Sequence, residues 1–232
     1  MSTLDTLFDQ YVCASFDKQL YLNAMLGDKY EYALDVHNAR LSFRKHGENQ
    51  TVEKSYAVSV LGTQFLENNQ FIWGWVLKED GLPIVPDNLS KAANDLRSYG
   101  ESNDVAEFKQ PALLLGGLGA DFLCAIASGI LEANAYFRCK VGQLATLLVI
   151  KDPEFPLASA DPYERIKMVV PLCLSAFPVQ SHKTAIAKYL TFLGLEYAAD
   201  NGTITATTPD KQKIILRFDE AGKFASLDPP PS

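Results

Sequence analysis

The sequence contains little cysteine, with four residues in a chain of 232, far apart and without a C-x-x-C pair. A disulfide framework is therefore not expected, and the thiols are predicted to be reduced core residues. They are Cys13, Cys124, Cys139 and Cys173. Histidine is scarcer still, and its three residues lack the spacing of metal ligands, so we predict no metal site and no cofactor.

Basic charge is also scarce. The formal net charge is −7, and no cluster of Lys and Arg is visible, so a nucleic-acid-binding surface is not expected. The acidic excess lies before residue 160, where 13 basic residues face 20 acidic ones, while the remainder carries 8 of each. An acidic surface of this kind suits a basic protein partner.

Segments that would direct the chain to a membrane are missing as well. Met1 to Gln10 has neither a basic start nor an apolar stretch, so we predict no signal peptide and a cytoplasmic location. The longest apolar run, Ala112 to Leu131, has the length of a membrane span. It contains Asp121 and four glycines, which favour a loop leading into a buried helix.

What the chain does contain is the pattern of an α+β protein. We predict an antiparallel meander sheet of four to six strands packed with helices over residues 1–152, and a smaller helix-helix-β-meander unit over 160–228. Residues 229–232 are predicted to be a loose tail. Helices are predicted to begin at Asp121 and Asp161, both of which are N-cap candidates, and at Ser181.

Both tryptophans of the chain fall within the segment 71–75, two positions apart. Because side chains alternate along a strand, both indoles are predicted to project from one face of one strand. Two interpretations remain open. Phe71, Trp73 and Trp75 can fill the core, as large aromatic side chains usually do, or one indole edge can line a cleft and donate a hydrogen bond to a ligand.

Charged side chains provide two further candidates, each with two interpretations. Glu101, Asp104 and Glu107 can act in general acid–base chemistry or form a solvated acidic loop. Tyr136 and Arg138 share one strand face, so Arg138 can hold an anionic ligand or pair with a nearby carboxylate.

Two catalytic patterns are not matched. The segment Gly116 to Asp121 precedes a predicted helix but lacks the lysine of a phosphate-binding P-loop and the full G-x-G-x-x-G spacing. Ser15, Ser59 and Ser175 occur in no G-x-S-x-G context, so a serine hydrolase is not indicated.

Four short motifs occur in a defined order. They are Leu61-Gly62-Thr63, Phe71-Ile72-Trp73-Gly74-Trp75, Tyr99-Gly100-Glu101 and the segment 132–138, Glu-Ala-Asn-Ala-Tyr-Phe-Arg. Together they resemble a bacterial family of unknown function in which an L-G-T strand precedes a W-x-W-x-W strand. The resemblance covers roughly residues 1–152. Phe71 stands at the first aromatic position of the triplet, and Leu77 stands where a polar Asn is usual. The resemblance implies a shared fold and no activity.

From these observations we predict a soluble bacterial protein that acts by non-catalytic binding or protein interaction, including the immunity-like neutralisation of a basic partner. The alternative is a small-molecule binder or unrecognised enzyme with a cleft beside Trp73 and Trp75. No catalytic residue is predicted. The candidate binding residues are Trp73, Trp75, Tyr99, Glu101, Tyr136 and Arg138.

Overall fold

A computed structural model describes residues 3–46, 51–76, 85–116, 119–156 and 161–228. Its helices are α1 (Thr3–Leu26), α2 (Lys91–Asn103), α3 (Ala106–Lys109), α4 (Ala120–Ile130), α5 (Pro162–Ala176) and α6 (His182–Phe192). Its strands are β1 (Glu31–Asp35), β2 (Arg40–His46), β3 (Thr51–Phe65), β4 (Gln70–Trp73), β5 (Ala112–Leu114), β6 (Ala135–Val141), β7 (Leu144–Ile150), β8 (Glu196–Ala199), β9 (Thr203–Thr207), β10 (Lys213–Phe218) and β11 (Phe224–Asp228). The predicted α+β class is confirmed.

Spatial contacts between residues group these elements into two compact units. One unit comprises Lys18–Leu157, and the other joins Met1–Asp17 to Ala158–Ser232. The predicted limits, residues 1–152 and 160–228, differ from this grouping chiefly at α1, whose first part groups with the C-terminal elements. The predicted tail at 229–232 and Leu77 lie outside the described residues.

The unit of residues 18–157 is built on a seven-stranded antiparallel sheet with β3 at its centre. The first half of β3 pairs with β2, and the second half pairs with both β4 and β7. The predicted four-strand meander β1 to β4 is confirmed. The strands β6 and β7 join the same sheet, but they do not continue the meander, because β7 pairs with β3 rather than with β4. The seventh strand, β5, was not predicted because it is three residues long and lies inside a continuous apolar run.

This sheet is curled, and the second part of α1 packs into its core. Tyr32 on β1 reaches β6, where its hydroxyl accepts the Lys140 N–H at 3.2 Å and its ring meets Phe137 edge-on at 5.0 Å. Leu22 and Leu26 of α1 join the hydrophobic core that β2, β3 and β7 contribute to. The Tyr32–Lys140 contact links β1 to β6, and the apolar side chains of α1 lie in the core. Together they explain why the sheet bends around its core.

The other unit combines the first part of α1, α5 and α6 with a four-stranded antiparallel sheet in the order β11-β10-β9-β8. The cap predicted at Asp161 and the helix start predicted at Ser181 are confirmed. Asp161 accepts the N–H groups of Tyr163 and Glu164 at 2.8 and 3.1 Å, and Ser181 accepts that of Thr184 at 3.2 Å. Asp17, which is buried, pairs with Arg165 and accepts a hydrogen bond from the Tyr189 hydroxyl at 3.0 Å.

The four cysteines are free and buried, as expected. Burial raises the pKa of the Cys139 thiol to about 11 and raises that of Cys124 further. Both thiols are therefore protonated and unreactive at neutral pH. Within the described parts of the chain, no helix has the length and hydrophobicity needed to cross a membrane.

Candidate functional site

Trp73 lies at the end of β4 and is enclosed, with 1% of its surface exposed. Its indole N–H donates to the Glu107 carbonyl at 3.1 Å. The ring packs edge-on against Phe71 at 4.8 Å and Phe108 at 5.6 Å. Since the polar edge of the indole is already used and the faces are covered, Trp73 is a core residue in this structure.

We define the aromatic cluster as Phe71, Trp73 and Phe108 together with the two glycines packed against them, Gly62 and Gly100. The two glycines make room for the three rings. A Cβ atom on Gly62 would lie 2.2 Å from the Ile72 carbonyl oxygen and 2.5 Å from the Phe71 ring. A Cβ atom on Gly100 would lie 2.6 Å from the Phe108 Cβ. The glycines of the L-G-T and Y-G-E motifs are thus explained by close packing.

Trp75 does not share a strand with Trp73, so the prediction of two indoles on one strand face is wrong. The strand ends at Trp73. Gly74 N–H still donates to the Leu61 carbonyl at 2.8 Å in the register of the β3–β4 pairing, and the chain turns immediately afterwards. Val76 N–H then donates to the Trp73 carbonyl at 3.1 Å and closes a turn. This local turn outweighs the alternation of side chains that the sequence suggested.

The Trp75 ring is half-buried under the guanidinium of Arg97, which lies 4.5 Å from the ring centre. Arg97 also pairs with Glu101 at 3.2 Å, one turn along α2. The structure therefore brings Trp75 and Glu101 together through Arg97, a residue that the sequence alone did not single out. The buried indole N–H of Trp75 has no acceptor within the described part of the chain.

The carboxylates of Glu101 and Asp104 are exposed to solvent, as expected, but the three acidic residues do not lie in one loop. Glu101 lies in α2, Glu107 lies in α3, and Asp104 lies directly after α2 in the left-handed conformation with φ +53°. Lys109 binds the Asp104 carboxylate at 2.6 Å and lowers its pKa. The carboxylates of Glu101 and Asp104 are thus held in separate ion pairs rather than in one acid–base site.

Arg138 on β6 pairs with a carboxylate, which was one of its two interpretations. Its guanidinium lies 3.5 Å from Asp121, and both side chains are half-buried. Tyr136, two residues earlier on β6, is also half-buried. Asp121 is not the predicted N-cap of α4, because the helix begins at Ala120 after Gly119, whose φ of +66° turns the chain. Gly117 of the weighed phosphate-loop segment lies outside the described residues.

An open groove runs along a different face of α2. Its volume is about 490 Å³. The residues that line it are Asp95, Ser98, Tyr99, Ser102 and Asn103 of α2, Ile130, Leu131 and Glu132 at the end of α4, and Lys151 after β7. Positions 95, 98, 99 and 102 lie along one helix face, whereas Arg97 and Glu101 lie along another. Of the predicted site residues, only Tyr99 lines this α2–α4 groove.

Glu132 occupies a special position at the rim of the α2–α4 groove. It follows α4 with φ +52°, and Glu132 N–H donates to the Gly129 carbonyl while Ala133 N–H donates to that of Ser128. This is a Schellman ending, in which glycine is the usual left-handed residue. No ion-pair partner of the Glu132 carboxylate occurs among the described residues.

Lys151 is the lysine among the residues that line the α2–α4 groove, and its ammonium group lies at the end of α4. Its Nζ donates to the Leu131 carbonyl at 2.7 Å. Asp95, on the opposite wall, pairs with Lys91 one turn earlier in α2. The groove thus combines carboxylates, hydroxyls and backbone acceptors with apolar side chains of the α4 end.

The structure thus shows an α+β protein with an open groove lined mainly by polar residues. Comparison with known families finds a match over residues 5–153 to a family of unknown function, DUF6882. The chain belongs to this family. No match to the chain was found among curated proteins or among solved structures.

Proposed function

We propose that the protein is a non-catalytic interaction protein whose α2–α4 groove contributes to binding a basic protein partner. The observation that carries this proposal is the groove itself, a concave surface of about 490 Å³ with the carboxylates of Asp95 and Glu132 on its two walls. The net negative charge of the chain before residue 160 attracts a positively charged partner, which the groove can then contact.

The charge distribution supports the same proposal. The chain before residue 160 carries the entire net negative charge of −7, and α2 and the end of α4 both lie within it. We further propose that the protein acts in the bacterial cytoplasm, where neutralising a basic toxin, as immunity proteins do, is the kind of interaction that its charge suits.

The placement of the perturbed groups agrees with a binding role. Active sites commonly contain groups whose pKa values are shifted for catalysis. Here burial raises the pKa of Cys124 and Cys139, and both thiols lie in the core rather than at the groove. A shifted thiol in the core is explained by packing alone.

Affinity capture tests the proposal. The full chain, immobilised through a terminal tag, is exposed to an extract of its source cells, with an unrelated protein of the same net charge as the control. The captured protein is identified, purified and titrated calorimetrically against the chain at low and high salt. We expect one specific partner that is basic and binds more weakly at high salt. A purified partner that is acidic, or whose affinity is independent of salt, would contradict the proposal, as would capture by the control alone.

One observation favours the alternative function. The buried Trp75 N–H lacks an acceptor within the described residues, and Arg97 lies over the same ring, so a small anionic or polar ligand at this position would gain both a donor and a cation. A thermal-shift screen of small molecules against the wild type and Trp75→Phe tests this. A ligand that raises the melting temperature of the wild type alone supports it, and equal responses contradict it.

A further inference from the structure

Two helices end at the α2–α4 groove. Ser102 and Asn103 belong to the last turn of α2, and Ile130 is the last residue of α4. The carboxyl end of a helix carries partial negative charge on its unpaired carbonyl groups and is stabilised by nearby cations. In sequence, neither last turn contains a basic residue. The groove therefore receives the negative ends of two helices that do not supply a cation of their own.

Lys151 shows that a cation is accommodated at one of these ends. Its ammonium group donates to the Leu131 carbonyl at 2.7 Å, although Lys151 comes from a different part of the unit, directly after β7. The end of α4 thus already binds a basic side chain through a backbone acceptor.

The remaining charges leave one carboxylate free for an incoming cation. Asp95 is paired with Lys91, and Lys151 is engaged at Leu131. Glu132 is exposed and, within the described residues, has no ion-pair partner. Beside it, the half-buried side chains of Ile130 and Leu131 provide an apolar wall for an alkyl chain.

We infer that the α2–α4 groove binds an arginine side chain of the basic partner, with the guanidinium at Glu132 and the alkyl stem along Ile130 and Leu131. The inference rests on the proposed function and names the chemistry of the contact. Arginine fits better than lysine because its five donors can serve a carboxylate and neighbouring hydroxyl or carbonyl acceptors together. Ser98 and Ser102, one turn apart on α2, supply such hydroxyl groups.

The test uses N-acetyl-arginine methylamide as the probe and follows the amide resonances of the isotope-labelled full chain. The matched control ligand is N-acetyl-citrulline methylamide, which has nearly the same shape and no charge. We expect saturable shifts at residues of the groove for the arginine probe and none for the citrulline probe. Glu132→Gln should weaken binding about two- to fivefold, which is the effect of losing one exposed ion pair. Glu67→Gln, an exposed carboxylate in the β3–β4 turn, should leave it unchanged.

Equal shifts with both probes, or arginine shifts that map away from the groove, would overturn the inference. Spermidine provides a further arm, because saturation by this polyamine far below the concentration needed for the arginine probe would assign the groove to a free small cation instead. The partner from affinity capture separates the two proposals. If it binds with salt dependence but Glu132→Gln leaves its affinity unchanged, the proposed function stands and the arginine contact is wrong.

Discussion

The aromatic cluster and the α2–α4 groove both lie beside α2, yet they use its faces in opposite ways. In the aromatic cluster, Gly100 lets Phe108 approach α2. Trp73 is fully buried there, and its indole N–H donates a hydrogen bond to the Glu107 carbonyl. In the groove, the helix presents Ser98, Ser102 and Asp95 to an open surface. The residues that stand out most in the sequence therefore serve packing, whereas the surface available for binding is made of ordinary polar residues.

The two helices that meet at the groove sharpen this comparison. Each is followed by an acidic residue in the left-handed conformation, Asp104 after α2 and Glu132 after α4. The Asp104 carboxylate binds Lys109 at 2.6 Å, whereas Glu132 has no ion-pair partner among the described residues. A left-handed backbone with an unpaired acid at a helix carboxyl end is unfavourable for stability.

The largest effect should come from breaking the cluster with Gly62→Ala. The added Cβ meets the Ile72 carbonyl oxygen and the Phe71 ring inside normal contact distance, so the strands must separate or the ring must move. We expect the free energy of unfolding to fall by about 3 kcal/mol or more, measured by urea denaturation. Gly116→Ala is the control, because its added Cβ would meet no atom of the described residues within 4 Å, and its effect should stay within about 0.5 kcal/mol. Similar losses for both variants would contradict the packing explanation.

The next largest effect is a difference in stability between variants of the two tryptophans. Trp73→Phe removes the hydrogen bond to the Glu107 carbonyl and leaves a gap between Phe71 and Phe108. We expect a loss of about 2 kcal/mol in urea denaturation. Trp75→Phe should cost less than about 1 kcal/mol, because that ring is half-buried and its N–H has no acceptor in the described part of the chain. The reverse order would show that Trp75 is the core residue.

A smaller effect of opposite sign is expected at the groove. Glu132→Gly relieves the left-handed strain at the end of α4 and should raise the free energy of unfolding by about 0.5 to 1 kcal/mol, measured by urea denaturation. The same variant should bind the arginine probe more weakly, because the carboxylate is gone. Asp104→Gly should give a smaller gain in stability, since it also loses the contact with Lys109. A Glu132→Gly variant less stable than wild type would contradict this account.

The smallest effect concerns the pH dependence of the α2 end. Lys109 lowers the pKa of Asp104 below its usual value, chiefly through a hydrogen bond and then through its charge. The stability from this pair is present above the ordinary Asp pKa and disappears as the pH falls through the lowered pKa of the folded state. A carboxyl NMR titration should show the lowered midpoint in the wild type and a return towards the ordinary value in Lys109→Gln. An unchanged midpoint in that variant would assign the shift to another cause.

Local signals predicted much of the fold. The cap at Asp161, the helix start at Ser181 and the alternation in the strands of both sheets are properties of neighbouring residues, and the structure confirms them. β5 and α3 were missed because three or four residues carry no periodicity of their own. The strand ends at Trp73 because Val76 N–H closes a turn on the Trp73 carbonyl, which the alternating aromatic pattern of the sequence did not indicate.

The candidate site was less accessible to prediction. Its α2 wall has helical spacing that a sequence can show, but the end of α4 and Lys151 reach it only through packing of segments far apart in the chain. The left-handed conformation of Glu132 likewise gave no signal, because the Schellman ending normally has glycine there. A search for non-glycine residues directly after predicted helices would have been the nearest available signal.

The grouping of the first part of α1 with the C-terminal elements has a practical consequence for anyone who shortens this chain. A fragment trimmed to the family match at residues 5–153 keeps α1 but removes α5 and Phe177, against whose ring Phe8 and Phe16 pack edge-on. Phe8, Val12 and Cys13, which are buried in the full chain, would then form a solvent-exposed apolar stripe on α1. Such a fragment should self-associate on concentration, whereas one beginning at Lys18 would not expose that stripe.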